Sequence, residues 1–348
     1  MQEFYDASEA RALDLREREQ FAKMPELIAR AMSAPGWAEQ LAGVEARSVT
    51  SRAALAALPV LRKSELKDRQ TAKPPLGGFA VTAPGKLKRL LMSPGPIFEP
   101  EGHGADWWSS ARALFAAGFR SGDIVHNSFA YHLTPGGFIL EAGAHALGCT
   151  VIPGGIGNTE QQVEAIVHLK PSGYTGTPDF LKILLDAAEK AGKDVSSLKR
   201  GLVSAAALPS SLREHLAGRG VAVKQCYATA ELGVIAYEAT ALEGMVVNES
   251  VIVEIVRPGT GDPVAEGEVG EVVVTSFNAD YPMIRLATGD LSTVLAGRSP
   301  CGCTNMPLTL VVWSARPIHP LMRMLVRPHG ERPARTAERS PVASRIIG

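Results

Sequence analysis

The 348-residue sequence predicts an α/β fold, with mostly parallel sheets flanked by helices and a small β-rich region at the end. Three patterns carry this. Apolar residues recur at helical spacing over residues 8 to 45. From about residue 88 to 275, short apolar runs alternate with amphipathic segments, as βα units on a parallel sheet do. After Glu249 the apolar period falls to two.

At the amino end, Leu13, Phe21, Met24, Ile28 and Met32 share a helical face, with Arg and Glu on the others. The phrase Leu58-Pro59-Val60-Leu61-Arg62-Lys63-Ser64-Glu65-Leu66 predicts another short helix, and a Pro/Gly-rich connection runs from Lys73 to Gly85. Strands are expected at 124–127, 151–153, 174–176, 201–204 and 221–226, and helices at 138–147, 159–170, 180–191 and 210–217. Val251–Val256 and Glu271–Thr275 read as strands joined by a Pro/Gly turn. Beyond Met306 the chain has six prolines, seven arginines after Val312 and no apolar period, so a disordered tail is expected over 307–348. Its codons can be written as the complement of codons upstream of residue 306, so antisense translation is one reading of most of 313–348.

Composition narrows the function. The 36 basic and 36 acidic residues cancel, leaving no field to draw in nucleic acid or an anionic membrane, and a small-molecule substrate is expected. Apolar runs stay short of the roughly 20 residues of a membrane helix. Cys149, Cys226, Cys301 and Cys303 are too scattered for a disulfide framework, and the amino terminus is polar and acidic, so a cytoplasmic protein is expected.

Three segments could carry chemistry. Met92 to Glu99 is a glycine-bearing turn in which Ser93 and the backbone at Gly95 could face a phosphate; Pro94 and Pro96 remove two N–H donors, and a plain rigid turn is the alternative. Gln225 to Gly233 follows a predicted strand and brings together Tyr227, Thr229 and Glu231: an aromatic face, a hydroxyl and a carboxylate able to hold magnesium. There the alternative is a strand end with a helix-capping threonine. Arg285 to Leu291 places Asp290 in a turn between β segments, where it could accept ribose hydroxyls or simply stabilise the turn. Ser64 and Lys67 match an acyl-serine spacing by chance, and no G-x-G-x-x-G supports a simple dinucleotide-binding dehydrogenase.

In order and spacing these pieces resemble the phenylacetate-CoA ligase branch of the acyl-adenylate-forming, AMP-binding superfamily, over roughly residues 10 to 306. The phrases that carry the resemblance are Leu58 to Leu66, Gly143 to Glu160, Thr175-Gly176-Thr177-Pro178, Tyr227 to Glu231, Gly267 to Thr275 and Arg285 to Asp290. The resemblance implies an enzyme that converts a carboxylic acid, ATP and coenzyme A to an acyl-CoA through an acyl-adenylate, with Mg2+. It divides the chain into an amino-terminal helical region (1–87), an α/β AMP-binding core with a β-rich end (88–306) and the tail.

By position, the resemblance assigns Tyr227 to adenine, Asp290 to the ribose, Glu231 to magnesium, and Thr229 with Glu231 to catalysis. It assigns Ser93 and Gly95 to phosphate, Ala206 and Ala207 to the adenine edge, and Tyr131, Phe138 and Gly155 to an aromatic-acid pocket. A homodimer is compatible with it. The chain departs from the family at Ser93 to Glu99, where a Ser/Thr/Gly-rich loop is usual, at Ala205 to Pro209, at Ala230, and at Cys303 in place of arginine. No zinc is expected from Cys301 and Cys303, which lack two further ligands. The family's mobile carboxy-terminal domain is not recognisable. An acid–CoA ligase truncated at that point, with impaired activity, is therefore the expected function, and a non-catalytic nucleotide or carboxylate binder, or a pseudogene product, is the alternative.

Overall fold

The computed structural model describes residues 3–239, 244–297, 299 and 301–309. The antisense reading, and the expected disorder from residue 310 onward, lie outside the described residues.

The amino-terminal region contains helices α1 (Leu13–Ala31), α2 (Pro35–Gln40) and α3 (Arg52–Ala56), strand β1 (Leu61–Arg62) and helix α4 (Lys63–Ala72). Phe21, Met24, Leu27, Ile28 and Ala31 line the buried face of α1 at helical spacing. The helix expected over 58–66 starts only at Lys63. Pro59 disfavours helical backbone at Leu58, and Leu61 N–H donates to Arg285 O at 3.1 Å, drawing the chain into a strand first.

A two-stranded hairpin follows, β2 (Arg89–Ser93) and β3 (Ile97–Glu101), and then helix α5 (Ala111–Ala116). The βα rhythm comes next: β4 (Ile124–Asn127), α6 (Gly136–Ala146), β5 (Thr150–Pro153), α7 (Thr159–Leu169), β6 (Gly173–Gly176), α8 (Pro178–Lys190), β7 (Arg200–Val203), α9 (Ser210–Gly218) and β8 (Ala222–Thr229). Helix α8 shows why these elements form. Pro178 suits a first turn that lacks N–H partners, and Leu181, Leu184, Leu185 and Ala188 make one buried stripe.

The chain then turns back through β9 (Gly233–Tyr237) and β10 (Met245–Val247) and enters β11 (Val251–Val256), β12 (Gly270–Ser276), β13 (Leu286–Ser292) and β14 (Pro307–Leu308). An eight-stranded sheet has the order β14-β10-β9-β8-β7-β6-β4-β5, and a four-stranded sheet the order β1-β13-β12-β11. Among the described residues, parallel pairing is confined to β5-β4-β6-β7-β8 and to β1 with β13; the other pairs are antiparallel. The sheets are thus less uniformly parallel than the apolar runs suggested, because β9, β10 and β14 extend the large sheet as a meander. Strand β14 also falls just past residue 306, the boundary expected from sequence, since Leu308 and Pro307 pair with Met245 and Val246.

One large core joins α1 and α2 to the inner faces of β11, β12 and β13 and includes Tyr227 and Tyr281. Two others flank the parallel sheet, around Trp108, Leu114 and Phe119 and around Tyr174, Leu184 and Leu202's neighbour Val203.

Candidate active site

Because β4 to β8 are parallel, their carboxyl ends share one edge of the sheet, where an open α/β fold collects ligand contacts. Tyr131 follows β4, Gly155 follows β5, Ala206 and Ala207 follow β7, and Thr229 and Glu231 stand at the end of β8. Ala205 takes a left-handed backbone (φ 63°), after which Ala206 is half-buried and Ala207 exposed. Their methyl groups leave only backbone there for polar contacts.

Thr229 is the last residue of β8, and the chain reverses at Ala230 to Leu232 into β9. No helix starts here, so Thr229 caps none. Its buried Oγ1 has no hydrogen-bond partner among the described residues. The reversal is held by Gly233, at φ 73°: a Cβ there would lie 2.3 Å from Trp108 O. It turns Glu231 inward to 3% exposure, with Lys63 Nζ 3.1 Å from Oε1. That contact is an ion pair whose angles do not make a hydrogen bond, so both oxygens of Glu231 lack hydrogen-bond partners among the described residues. A buried carboxylate and hydroxyl left so are costly unless something completes them.

Asp290 lies within β13, not in a turn between strands as its Thr-Gly-Asp context suggested; Gly289 absorbs a positive φ of 84° and the strand continues to Ser292. The Tyr227 hydroxyl donates to Asp290 Oδ2 at 2.7 Å. Burial raises the Asp290 carboxyl above its ordinary range, and the Tyr227 bond and Lys63 oppose this. The Tyr227 ring itself is 4% exposed and packed in the large core.

Two residues to which the sequence assigned no role complete the cluster. Strand β1 pairs in parallel with β13, Leu61 opposite Leu286 and Arg62 opposite Ala287, so Lys63 emerges beside the strand that carries Asp290. Glu99 of β3 is fully buried and accepts from both donors of Ser93, the N–H at 3.1 Å and the Oγ–H at 2.5 Å. Burial first, and the Glu231 charge second, push its carboxyl up to about 8, against the Ser93 bonds and Lys63. The predicted phosphate turn is therefore the tip of the β2–β3 hairpin, with Gly95 exposed and Ser93 turned in to Glu99. Gln70 of α4 clamps the hairpin by bonding Phe98 O at 2.7 Å and Phe98 N–H at 2.8 Å.

The expected acid-pocket residues also meet. The rings of Tyr131 and Phe138 lie edge to face at 5.1 Å, and Arg89 sits 4.3 Å over Phe138. The Tyr131 hydroxyl donates to Glu141 Oε2 and accepts from Asn127 Nδ2, each at 2.8 Å. Gln162 bonds buried His126 Nε2 at 2.7 Å and the carbonyls of Gly155 and Gly157, fixing the loop after β5; a Cβ on Gly154 would lie 2.9 Å from His126.

Other signals lie apart. Cys301 and Cys303 are buried in a small cluster with Phe4, Ala239 and Val246. A cleft of about 380 Å3 lined by Arg52, Glu254, Val264 and Met306 includes none of the residues above. Among the described residues, no group of three or more His, Cys, Asp and Glu side chains could hold a metal ion, and no helix is long and apolar enough to cross a membrane. A magnesium ion here would have no cluster of three or more such protein ligands among the described residues. The uncompleted oxygens of Glu231 and Thr229 still fit such an ion, as magnesium commonly takes one or two carboxylates and fills the rest with water and phosphate.

Residues 109–279 match the model of the AMP-binding enzyme family. The chain is 34% identical over 268 residues to the phenylacetate-coenzyme A ligase of Aromatoleum evansii, covering 73% of this chain and 60% of that one. It is 31% identical over 272 residues to the phenylacetate-coenzyme A ligase of Escherichia coli K12, with 74% and 61% covered. A solved open conformation of 2-hydroxyisobutyryl-CoA ligase, in complex with 2-HIB-AMP and CoA, superposes with a TM-score of 0.80 at 24% identity, over 86% of this chain and 70% of that one. The chain spans between 58 and 62% of the length of the curated relatives it matches. The site at the carboxyl edge falls inside or beside the matched AMP-binding region, and phenylacetate-coenzyme A ligases are among the chain's relatives.

Proposed function

We propose that the chain forms the nucleotide- and acid-binding part of an ATP-dependent acid–coenzyme A ligase of phenylacetate type. A substrate carboxylate oxygen attacks the α-phosphorus of ATP and pyrophosphate leaves, giving an acyl-adenylate. The thiolate of coenzyme A then attacks the acyl carbon, and AMP leaves. Such transfers are driven by positioning and by charge stabilisation. The observation that carries this reading is the pair of buried, uncompleted groups at the end of β8, the Glu231 carboxylate and the Thr229 hydroxyl.

In this reading Glu231 holds magnesium, which when bound neutralises phosphate charge, and Thr229 donates to a phosphate oxygen. Asp290, aligned by Tyr227, accepts the ribose hydroxyls. The half-buried backbone at Ala206 and the adjacent Ala207 line the adenine, and Gly95 at the hairpin tip approaches the outer phosphates. Tyr131 and Phe138, with Gly155 below them, favour an aromatic acid. A second reading, a nucleotide or carboxylate binder without turnover, is favoured by one observation: Ser93 spends both of its donors on Glu99. Exchange of labelled pyrophosphate into ATP, with phenylacetate, benzoate or acetate as the acid, separates the two. Exchange dependent on an aryl acid supports the ligase. Saturable ATP binding without exchange supports the binder.

A further inference from the structure

Lys63 stands among three acids that arrive from three different elements. Its ammonium is 3.1 Å from Glu231 at the end of β8, and its charge also acts on Glu99 of β3 and Asp290 of β13. The Glu231 side chain is fully covered, whereas that of Lys63 is one-third exposed. The fold therefore offers a buried carboxylate a counter-ion that still reaches solvent. A carboxylate buried without any partner would be strongly destabilising, so some cation has to stand here before a ligand arrives.

A divalent cation held by Glu231 would stand close to the Lys63 ammonium, and the two like charges would repel. Lys63 has room to respond. It is the first residue of α4, its position fixed by the β1–β13 pairing, while its stem is four flexible carbons and its charge a compact ammonium with three rotatable donors. Once off Glu231, the ammonium would be free to bond a phosphate that enters with the metal, an anion it can hold with charge assistance.

We propose that Lys63 exchanges counter-ions: it holds Glu231 before ligands arrive, yields that carboxylate to magnesium, and then grips a phosphate of the bound nucleotide. This rests on the reading of Glu231 as the magnesium carboxylate. It differs from a merely structural ion pair in one respect: Lys63 competes with magnesium and cooperates with the nucleotide.

The test is calorimetry of a non-hydrolysable ATP analogue, titrated at a series of magnesium concentrations, on the full chain and on Lys63→Met, Lys63→Arg and Glu231→Gln, with thermal melts of each. At saturating magnesium, Lys63→Met should weaken analogue binding about tenfold, the loss of one charge-assisted bond, while Lys63→Arg keeps most of the affinity. The magnesium concentration at half-effect should fall in Lys63→Met, because the competitor is gone. If Lys63→Met and Lys63→Arg bind within about twofold of the parent with an unmoved magnesium midpoint, while Glu231→Gln loses binding, this proposal is wrong and the reading of Glu231 survives. A midpoint that rises together with a lower melting temperature shows a structural pair only and also overturns it. A parent that does not bind, or a Glu231→Gln that binds like the parent, removes the underlying reading and this proposal with it.

Discussion

Replacing Arg285 by alanine should cost about 3–5 kcal/mol of folding stability, the range for removing one partner of a buried ion pair. Arg285 is 1% exposed. Its Nε donates to Glu254 at 3.0 Å, its Nη1 to the carbonyls of Ala56 at 2.7 Å and Leu58 at 2.5 Å, and its Nη2 to Gly261 O at 2.7 Å. Four bonds to a cation, at about 1.5–3 kcal/mol each, would sum to more than this range. They belong to one network, however, and do not add; water entering the space left by the side chain would solvate some of the carbonyls. What water restores least is Glu254, whose Oε1 already lacks a partner among the described residues and whose carboxyl burial raises above its ordinary range. Adding Glu254→Gln to Arg285→Ala should therefore recover about 1–2 kcal/mol by replacing the stranded charge with a neutral amide. Urea unfolding followed by tryptophan fluorescence measures both. A loss below about 1 kcal/mol for Arg285→Ala, or no recovery in the double variant, would refute the view that this guanidinium pins β13 to the segment before β1. The effect bears on the site, because the same pairing sets Lys63 beside Asp290.

Two further outcomes follow from the same cluster. The Glu99 carboxyl has an ordinary value of 4.5 and a folded value of about 8, so the folded protein binds the extra proton between them. Stability from that proton is complete below the lower value and is lost as pH rises through the upper one. The parent should thus lose stability relative to Glu99→Gln between about pH 5 and about pH 8, and parallel melting curves across that range would contradict the assignment. Gly233→Ala, which would drive a Cβ to 2.3 Å from Trp108 O at a left-handed φ, should destabilise by several kcal/mol and abolish nucleotide binding; chemical denaturation and calorimetry check each half.

Much of the fold was legible because periodicity is local. The stripe of α8 and the apolar runs of β11 and β12 are each visible within a dozen residues, although both strands are buried almost throughout and do not alternate. The hairpin β2–β3 was read only as a turn, because its second strand buries Glu99, Pro100 and Glu101, the residue types that ordinarily mark exposed chain. Asp290 read as a turn residue because Thr-Gly-Asp is turn chemistry, and only pairing with β12 carries the strand through it. Thr229 and Glu231 could be singled out from their place after a predicted strand, whereas Lys63 could not. Its partner lies 168 positions along the chain (231 minus 63), and the only sequence trace was its place in the phrase Leu58 to Leu66. Long-range pairing, not local propensity, assembles the charged half of the site.

The claim that this edge binds nucleotide through Glu231 and Asp290 is tested most directly by isothermal calorimetry of ATP with magnesium, on the parent and on Glu231→Ala and Asp290→Ala. Saturable binding by the parent that both substitutions abolish, in proteins that still melt cooperatively, is the predicted result. No heat from a folded parent, or binding that survives both substitutions, would contradict it.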